Sequence, residues 1–314
     1  MTIAILDAKT MNPGDLSWEP FKSLGKLKIY DHSPEETIVE RAIDAEIVLV
    51  NKVELTADII QQLPKLKYIG VTATGYNNVD LEAARKRNIP VCNAPGYGTF
   101  GVAQHVFALI LAICSKVTVH DQAVSNNEWS DQTNFSLVKK PIIGLENKTL
   151  GVIGLGSIGE KVAQIGLTFG MKVIANNRSN KKIPNIEMMT IDDILSKSDF
   201  ISLNCSLNDS NKAMVNATFL NAMKSSAYLI NTARGGLINE AHLANALQEK
   251  IIAGAAIDVM QSEPPLRDHP LFQLSNCIIT PHNAWAYPSS RQNLMEIVLN
   301  NINAYLEGKP LNLV

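Results

Sequence analysis

Short apolar runs alternate, along the first hundred residues, with stretches whose apolar positions recur at helical spacing. Each run has the length and the β-branched content of a strand, and each helical stretch starts with polar residues. This alternation predicts a parallel sheet covered by helices on both faces. The strand candidates are "IAILDA", "KLKIYD", "EIVLVN", "KYIGVTA" and "IPVCNA", and the helical stretches include "PEETIVERAIDA", "TADIIQQLP" and "VDLEAARKRN".

A second alternating series follows a long helical stretch. The pattern predicts one unbroken helix from about Val102 to Val124 and then a polar loop as far as Pro141. The second series predicts another parallel sheet, and an amphipathic helix, "SSRQNLMEIVLNNINAYLEG", closes the chain. Its strand candidates are "LGVIGL", "KVIAN", "MMTI", "FISLNC", "AYLINTA", "AGAAIDV" and "CIITPH".

The two series predict two domains, which the length of 314 residues also favours. The second series is self-contained over residues 99–285. The tail helix has nothing to complete there, so we expect it to return to the first domain. The prediction is therefore an outer domain made of residues 1–98 and 286–314, with residues 99–285 inserted in it.

Composition and charge exclude several classes of protein. Hydrophobic residues make up 46% of the chain and charged residues 18%, the formal net charge is −2, and the mean hydropathy is +0.03. Such a chain lacks the basic surface that holds nucleic acid by counterion release, so we expect no nucleic-acid partner. No cationic stretch precedes the first apolar residues, and the most apolar segment, "VFALILAIC", is too short to span a bilayer. We therefore expect no signal peptide and no membrane partner.

Cysteines and histidines show no metal-binding pattern. The cysteines are far apart without a Cys-x-x-Cys spacing, which is typical of reduced core thiols in a cytoplasmic protein. Four histidines stand in polar segments without ligand-like neighbours, so we predict no metal, and His105 is expected to pack or bond locally. The residues concerned are Cys92, Cys114, Cys205, Cys277, His32, His120, His242 and His269.

A glycine fingerprint stands between a strand candidate and a helical stretch in "TLGVIGLGSIGEKVAQIGLTFGMKVIA". Gly154 permits the tight turn, Gly156 lets the backbone approach a pyrophosphate, and Gly159 lets helix and strand pack closely. The pyrophosphate is expected at the helix N-terminus, at Ser157 and Ile158, where free N–H groups and the helix dipole favour an anion. A glycine-rich turn without a ligand is the alternative, and the strand–turn–helix context favours a dinucleotide site.

The residues about twenty positions further on, after the next strand, bear on which dinucleotide binds. A carboxylate there would accept hydrogen bonds from the ribose of NAD and repel a 2′-phosphate. This chain has the uncharged Asn177, then Arg178 and Ser179, with Lys181 and Lys182 beyond. A guanidinium and a hydroxyl suit a phosphate, so the cluster favours NADP(H) over NAD(H). In the alternative, Asn177 bonds the ribose of NAD and the basic residues belong to a solvated loop.

Three polar stretches, "INTARGGLIN", "AAIDVMQSEPP" and "IITPHNAWA", each follow an apolar strand. Ligands of open α/β sheets bind off the carboxyl ends of the strands, so Arg234, Glu263 and His282 are candidates to converge there. Arg234 suits the carboxylate of a 2-keto acid, His282 suits the donation of a proton near neutral pH, and Glu263 suits the orientation of that imidazole. Taken singly, they also fit a surface arginine, a capping glutamate and a hydrogen-bonded loop histidine.

These motifs resemble those of the D-isomer-specific 2-hydroxyacid dehydrogenase family. The resemblance covers essentially the whole chain and includes "GLGSIG", "LINTARGGLIN", "AAIDVMQSEPP", "TPHNAWA", "IGVTATGYNNVDLEAARKRNI" and "NAPGYGTFGVAQHVFALILA". Within the family, "VAQHVFAL" and "TPHNAWA" look most like the glycerate dehydrogenase and hydroxypyruvate reductase group. The departure from the common pattern is Asn177, which puts strict NAD use in doubt.

The resemblance implies a fold and roles for individual residues. The implied fold is α/β with two doubly wound parallel-sheet domains, a Rossmann dinucleotide domain inserted in a flavodoxin-like substrate domain. Arg234 would anchor the substrate carboxylate, and Glu263 and His282 would form the acid/base pair. Further contacts are implied for the backbone at Thr74 and Gly75 with the substrate carboxylate, for Asp258 with the nicotinamide carboxamide, and for Cys205, Ser206, Thr232 and Ala233 with the cofactor. By analogy the protein would be a homodimer.

The expected activity is the NAD(P)H-dependent reduction of a small 2-keto acid, hydroxypyruvate or glyoxylate, to the D-2-hydroxy acid. Two alternatives stay open. A non-enzymatic dinucleotide sensor, like corepressors of the same architecture, has this fold without the chemistry. A short phosphoglycerate dehydrogenase would differ in its substrate. Formate oxidation is disfavoured, since a substrate without a side chain calls for other polar residues.

Overall fold

The computed structural model describes residues 1–179 and 181–314. The described chain forms two compact units, one of Met1–Gly98 with Ala286–Val314 and one of Thr99–Trp285. The strands are β1 (Thr2–Ile5), β2 (Lys26–Ile29), β3 (Ile47–Val50), β4 (Tyr68–Val71), β5 (Val91–Cys92), β6 (Thr149–Ile153), β7 (Lys172–Asn176), β8 (Ile186–Met188), β9 (Phe200–Leu203), β10 (Tyr228–Asn231), β11 (Gly254–Ile257) and β12 (Cys277–Ile279).

Helices connect these strands in both units. The α-helices are α1 (Glu19–Lys22), α2 (Ile38–Ala42), α3 (Ala57–Gln61), α4 (Leu81–Lys86), α5 (Thr99–Ser115), α6 (Val117–Ser125), α7 (Ser157–Thr168), α8 (Ile191–Lys197), α9 (Ala217–Ala222), α10 (Glu240–Gln248) and α11 (Pro288–Leu306). Short 3-10 helices cover Ala8–Thr10, Glu35–Thr37, Gly235–Leu237 and Pro270–Gln273.

The sheet of the first unit is parallel, with the strand order β2-β1-β3-β4-β5. This is the flavodoxin-like order, and it agrees with the predicted class of the outer domain. Side chains of β3 alternate between two apolar cores, with Ile47 on one face and Val48 on the other. Helix α11 covers the Ile47 face with Leu294 and Val298, one helical turn apart.

The sheet of the second unit is also parallel, with the order β12-β11-β10-β9-β6-β7-β8. Numbered from β6, this is the Rossmann order 3-2-1-4-5-6 with one further strand. Apolar cores lie on both faces, because alternate residues such as Val173 and Ile174 point to opposite sides. The two parallel sheets confirm the predicted fold class.

One element of the prediction is wrong. The helix expected from Val102 to Val124 is two helices, α5 and α6, with a bend of 51° between them. Lys116 breaks the run in a left-handed conformation, with φ of 48°. The β-branched residues Val117 and Thr118 follow it. Such residues lose side-chain freedom in a helix, so the break costs little free energy there. Apolar periodicity continues through the break and therefore does not reveal it.

Within residues 1–179 and 181–314, no single helix is both long and apolar enough to cross a bilayer. The bent pair of α5 and α6 meets the length and composition test when its members are taken together, and one face of α5 is buried in the core of the second unit.

Candidate active site

The carboxyl ends of the seven parallel strands in the second unit form one edge of the sheet, and the predicted residues follow these ends. Across the edge, Thr280 follows β12, Asp258 follows β11, Thr232 follows β10, Gly154 follows β6 and Asn177 follows β7. The five interstrand spacings from β12 to β7 give a separation of roughly 24 Å. The edge therefore suits an elongated ligand, and the glycine turn lies four strand spacings from β12 and one from β7.

The three glycines of the fingerprint differ in what surrounds them. Gly154 has φ of +95°, and a Cβ there would lie 2.7 Å from the main-chain nitrogen of Cys205. A Cβ on Gly159 would collide with the carbonyl oxygen of Gly154. The fold itself thus requires Gly154 and Gly159. A Cβ on Gly156, in contrast, would have nothing within 4 Å among the described residues.

The open space at Gly156 lies at the start of α7, where Gly156 is the N-cap residue. No described side chain caps this helix, so its first N–H groups stay available for another acceptor. Free N–H groups and the helix dipole together form an anion site. A glycine that the protein does not need for its own packing, at such a helix start, fits the close approach of a pyrophosphate.

The segment after β7 places an amide and an ammonium group beside the glycine turn. The side-chain oxygen of Asn177 accepts a hydrogen bond from the Leu155 N–H at 3.0 Å, and its NH₂ group donates to Ser179 Oγ at 2.8 Å. Lys181 Nζ donates to the carbonyl oxygen of Leu155 at 2.6 Å. Arg178 is exposed. The segment therefore supplies an amide and cationic side chains where an NAD-binding site has a carboxylate. Lys181 Nζ also lies 3.9 Å from Glu160 Oε2.

His282 and Glu263 are joined by a hydrogen bond of 2.5 Å between Nδ1 and Oε2. The other carboxylate oxygen of Glu263 accepts from the Met260 N–H at 2.9 Å. A carboxylate only accepts hydrogen bonds, so the hydrogen lies on Nδ1 of His282. Nε2 is then the nitrogen of His282 that can exchange a proton with another molecule.

The backbone of His282 is left-handed, with φ of 50°, which costs an L-residue about 1–2 kcal/mol. Hydrogen bonds hold this conformation. The His282 N–H donates to the carbonyl oxygens of Asp258 (2.8 Å) and Thr280 (3.0 Å). Trp285 donates from Nε1 to the His282 carbonyl oxygen at 2.8 Å.

Arg234 stands at the carboxyl end of β10 with an exposed side chain. One guanidinium nitrogen donates to the Ala233 carbonyl oxygen at 2.7 Å, and no hydrogen bond joins Arg234 to His282 or Glu263 among the described residues. The loop itself is tightly placed, because a side chain at Gly235 would collide with the main chain of Met260. The structure therefore brings His282 and Glu263 together and leaves the guanidinium facing solvent.

Two buried polar atoms at the carboxyl ends of β10 and β9 have no hydrogen-bond partner among the described residues. They are Oγ1 of Thr232, after β10, and Oδ1 of Asn204, after β9. Native proteins leave few buried polar atoms unpaired, so these two suit partners supplied by a ligand. Thr232 was predicted from the resemblance and Asn204 was missed. Cys205 packs its backbone against Gly154, Ser206 is exposed, and Ala233 is half-buried.

Asp258 is buried, and its carboxylate accepts hydrogen bonds from the loop that follows β12. Its predicted contact with a nicotinamide carboxamide stays a prediction. Thr74 and Gly75 follow β4 in the first unit, where Thr74 Oγ1 donates to the Ala94 carbonyl oxygen at 3.1 Å. Their predicted contact with a substrate carboxylate also stays a prediction.

A cavity of about 640 Å³ lies beside the His282–Glu263 pair. Its walls are largely apolar and include Leu271, Phe272 and Cys277. Burial raises the pKa of the Cys277 thiol to about 12. The sequence did not predict this cavity, because its apolar wall residues Leu271, Phe272 and Cys277 belong to no chemical motif. No group of three or more metal-ligating side chains is found in the part of the chain that the structure describes.

The chain matches a known protein family and is similar to curated proteins and solved structures over its whole length. Residues 107–284 match the family described as D-isomer specific 2-hydroxyacid dehydrogenase, NAD binding domain. A hydroxypyruvate reductase of Blautia hydrogenotrophica is 38% identical, over 100% of this chain and 99% of that protein. A glycerate dehydrogenase of Methylorubrum extorquens is 38% identical, over 99% and 98% respectively. Among solved structures, an acyclic imino acid reductase in complex with NADPH and D-Arg aligns with a TM-score of 0.88 at 31% identity, over 100% of both chains.

Proposed function

The chain belongs to the D-isomer specific 2-hydroxyacid dehydrogenase family, and on this premise we propose that it reduces hydroxypyruvate or glyoxylate to the D-2-hydroxy acid. The observation that carries the proposal is the 2.5 Å hydrogen bond between His282 Nδ1 and Glu263 Oε2. It supports a proton donor at Nε2, on the same sheet edge as the glycine turn. The names of the relatives support the substrate class.

Individual residues have separate roles in the proposed reaction. Arg234 holds the substrate carboxylate through its planar guanidinium, aided by the backbone of Thr74 and Gly75. His282 gives the proton on Nε2 to the keto oxygen, and Glu263 fixes the ring and stabilises its charged form before the transfer. Bound NAD(P)H supplies the hydride for the keto carbon. The Thr232 hydroxyl and the side-chain oxygen of Asn204 are available to hold the cofactor.

A substrate panel tests this function. NADPH and NADH oxidation is measured with hydroxypyruvate, glyoxylate, pyruvate, a bulkier keto acid and 3-phosphohydroxypyruvate. We expect the highest kcat/KM with hydroxypyruvate or glyoxylate. A clear preference for the phosphorylated substrate would favour a short phosphoglycerate dehydrogenase. Coenzyme binding without turnover of any keto acid would favour the non-enzymatic sensor.

We propose that the preferred cofactor is NADP(H). The amide of Asn177 in place of a carboxylate, the exposed Arg178 and the ammonium group of Lys181 at the glycine turn support a site for the 2′-phosphate. A charge-assisted hydrogen bond from Arg178 contributes about 1.5–3 kcal/mol. In the alternative, Asn177 bonds the ribose of NAD.

Arg178→Ala is the direct test of cofactor choice. We expect kcat/KM for NADPH to fall about 10- to 100-fold, as the loss of one such bond implies, with kcat/KM for NADH almost unchanged. Arg85→Ala, an exposed arginine on α4 of the first unit, is the matched control. A clear preference of the wild type for NADH, unchanged in the Arg178 variant, would contradict the proposal.

We also propose that the protein is a cytoplasmic homodimer without nucleic-acid or membrane partners. The segment between α5 and β6 supports an interface, because large apolar side chains are exposed there. They include Trp129, Phe135, Val138 and Ile142. The side chain of Phe135 is 93% exposed. In sedimentation velocity, the Phe135→Ser variant should dissociate to monomers at concentrations where the wild type and the control variant Leu266→Ser stay dimeric. A monomeric wild type would refute the dimer.

A further inference from the structure

The turn that carries His282 is held from inside the second unit by one buried carboxylate. Asp258 is 1% exposed. Its Oδ1 accepts from the main-chain N–H of Asn283, and its Oδ2 accepts from that of Ala284, both at 3.0 Å. A buried carboxylate is tolerated only where such donors satisfy it, so the carboxylate and the two N–H groups hold one another in place.

A series of hydrogen-bonded side chains links α5 to the same carboxylate. Thr280 Oγ1 donates to Asp258 Oδ1 at 2.6 Å, and His105 Nε2 lies 3.0 Å from Thr280 Oγ1 and 3.5 Å from Asp258 Oδ1. The hydroxyl has a single hydrogen, and the carboxylate can only accept it. His105 must therefore donate from Nε2 to Thr280. Hydrogen bonds that run in one direction in this way polarise one another, and each of them is strengthened as a result.

His105 was expected to pack or bond locally, and the structure adds a contact with Thr280, which lies 175 positions away. The contact joins a core helix to the residue that begins the His282 turn. Thr280 therefore fixes one side of the turn, and Asn283 and Ala284 fix the other through Asp258. His282 lies between them in its left-handed conformation, which the surrounding contacts must impose.

We propose that His105 and Thr280 are positioning residues, which act through Asp258 to aim the Nε2 atom of His282 at the keto oxygen. The inference rests on the proposed function for its effect on turnover. Its structural content, that these two side chains hold the turn of residues 280–284, does not depend on the substrate. The two parts can therefore be measured separately.

Paired variants test the proposal. Thr280→Val removes the hydroxyl at nearly constant shape, and Thr280→Ser restores it. His105→Leu removes the donor, and His105→Gln restores an N–H group at a similar reach. His120→Leu is the matched control, because His120, on α6, is also half-buried and hydrogen-bonded, but to the main chain of Lys116.

Two readouts are recorded for each variant. Hydrogen exchange should show the amides of Asn283 and Ala284 exchanging about tenfold faster or more in Thr280→Val and His105→Leu, with the other core amides unchanged. The kcat for keto acid reduction should fall about 10- to 100-fold, as small misplacements of catalytic groups do, with the Kd for NADPH within twofold of wild type. Both effects should be largely reversed in Thr280→Ser and His105→Gln and absent in His120→Leu.

The outcomes separate this inference from the proposed function. Unchanged exchange of the two amides in Thr280→Val overturns the positioning role, whatever the activity. A fall in kcat that the Ser and Gln variants do not reverse also overturns it, because it indicates general damage to the core. If the wild type reduces no keto acid, the proposed function fails, and faster exchange of the two amides still supports the structural role of His105 and Thr280.

Discussion

Replacement of Gly156 by alanine tests whether this glycine is required for ligand binding and not for folding. A Cβ on Gly156 meets no described atom within 4 Å. The backbone, with φ of −72° and ψ of −171°, is one that alanine adopts without strain. The methyl group would project into the space at the start of α7, where we expect the pyrophosphate. Gly156→Ala should therefore fold normally and bind the coenzyme poorly.

The expected magnitudes follow from that geometry. At an N-cap, alanine is less favourable than glycine by about 0.5–1 kcal/mol, and the lost freedom of the unfolded chain offsets about 0.4–1 kcal/mol of this. The melting temperature should therefore stay within about 3 °C of wild type. A displaced pyrophosphate loses at least one charge-assisted hydrogen bond, worth about 1.5–3 kcal/mol. The Kd of the coenzyme should rise about 10- to 100-fold.

The assay combines a fluorescence titration with NADPH and NADH and a thermal melt of the same samples. The binding of both coenzymes should weaken by the same factor, since both contain the pyrophosphate. Arg178→Ala, in contrast, should weaken the binding of NADPH selectively. Gly144→Ala is the matched control, because Gly144 also has nothing within 4 Å among the described residues and lies outside the glycine turn. A Gly156→Ala protein with unchanged melting temperature and a Kd within twofold of wild type would refute the reasoning.

Three further predictions concern the catalytic pair, a thiol and an ion pair. His282→Asn should lower kcat about 10²- to 10⁴-fold, the usual contribution of a general acid, with the Kd for NADPH retained; turnover within threefold of wild type would remove His282 from the mechanism. Because burial raises the pKa of Cys277 to about 12, the native thiol should react with iodoacetamide at pH 8 far more slowly than in urea-unfolded protein, and fast labelling of native Cys277 would contradict this. Arg291→Met removes a bidentate pair with Asp15, both contacts being 2.6 Å, and should lower the melting temperature by more than the exposed-pair control Lys86→Met. The hydrogen bond from Arg291 lowers the pKa of Asp15, so this difference should be full at neutral pH and shrink as the pH falls below the ordinary carboxyl range; a difference that grew on acidification would refute the assignment.

The sequence by itself determined the strands and the turn chemistry. Strand positions follow from short apolar runs bounded by polar residues, and this periodicity is local, so most strand candidates have a counterpart in the structure. The candidate "MMTI" is largely wrong, because β8 ends at Met188, Thr190 caps α8 and Ile191 begins that helix. The roles of Gly154 and Gly159 were also readable, because a strand, a tight turn and a helix in succession impose them. The alternation of strands and helices was enough to predict parallel sheets, and their topology then placed Arg234, Glu263 and His282 at strand ends.

Only the tertiary structure decided which distant groups meet. His105 and Thr280 are far apart in sequence, and nothing in the local pattern around either residue indicates a partner. The break at Lys116 was hidden for a related reason, because its apolar neighbours keep helical spacing while the backbone turns. The use of the Asp258 carboxylate by Asn283 and Ala284 depends on how two strand ends are aligned side by side. Periodicity reports what each segment buries, whereas hydrogen-bond partners depend on distances that exist only after the sheet has formed.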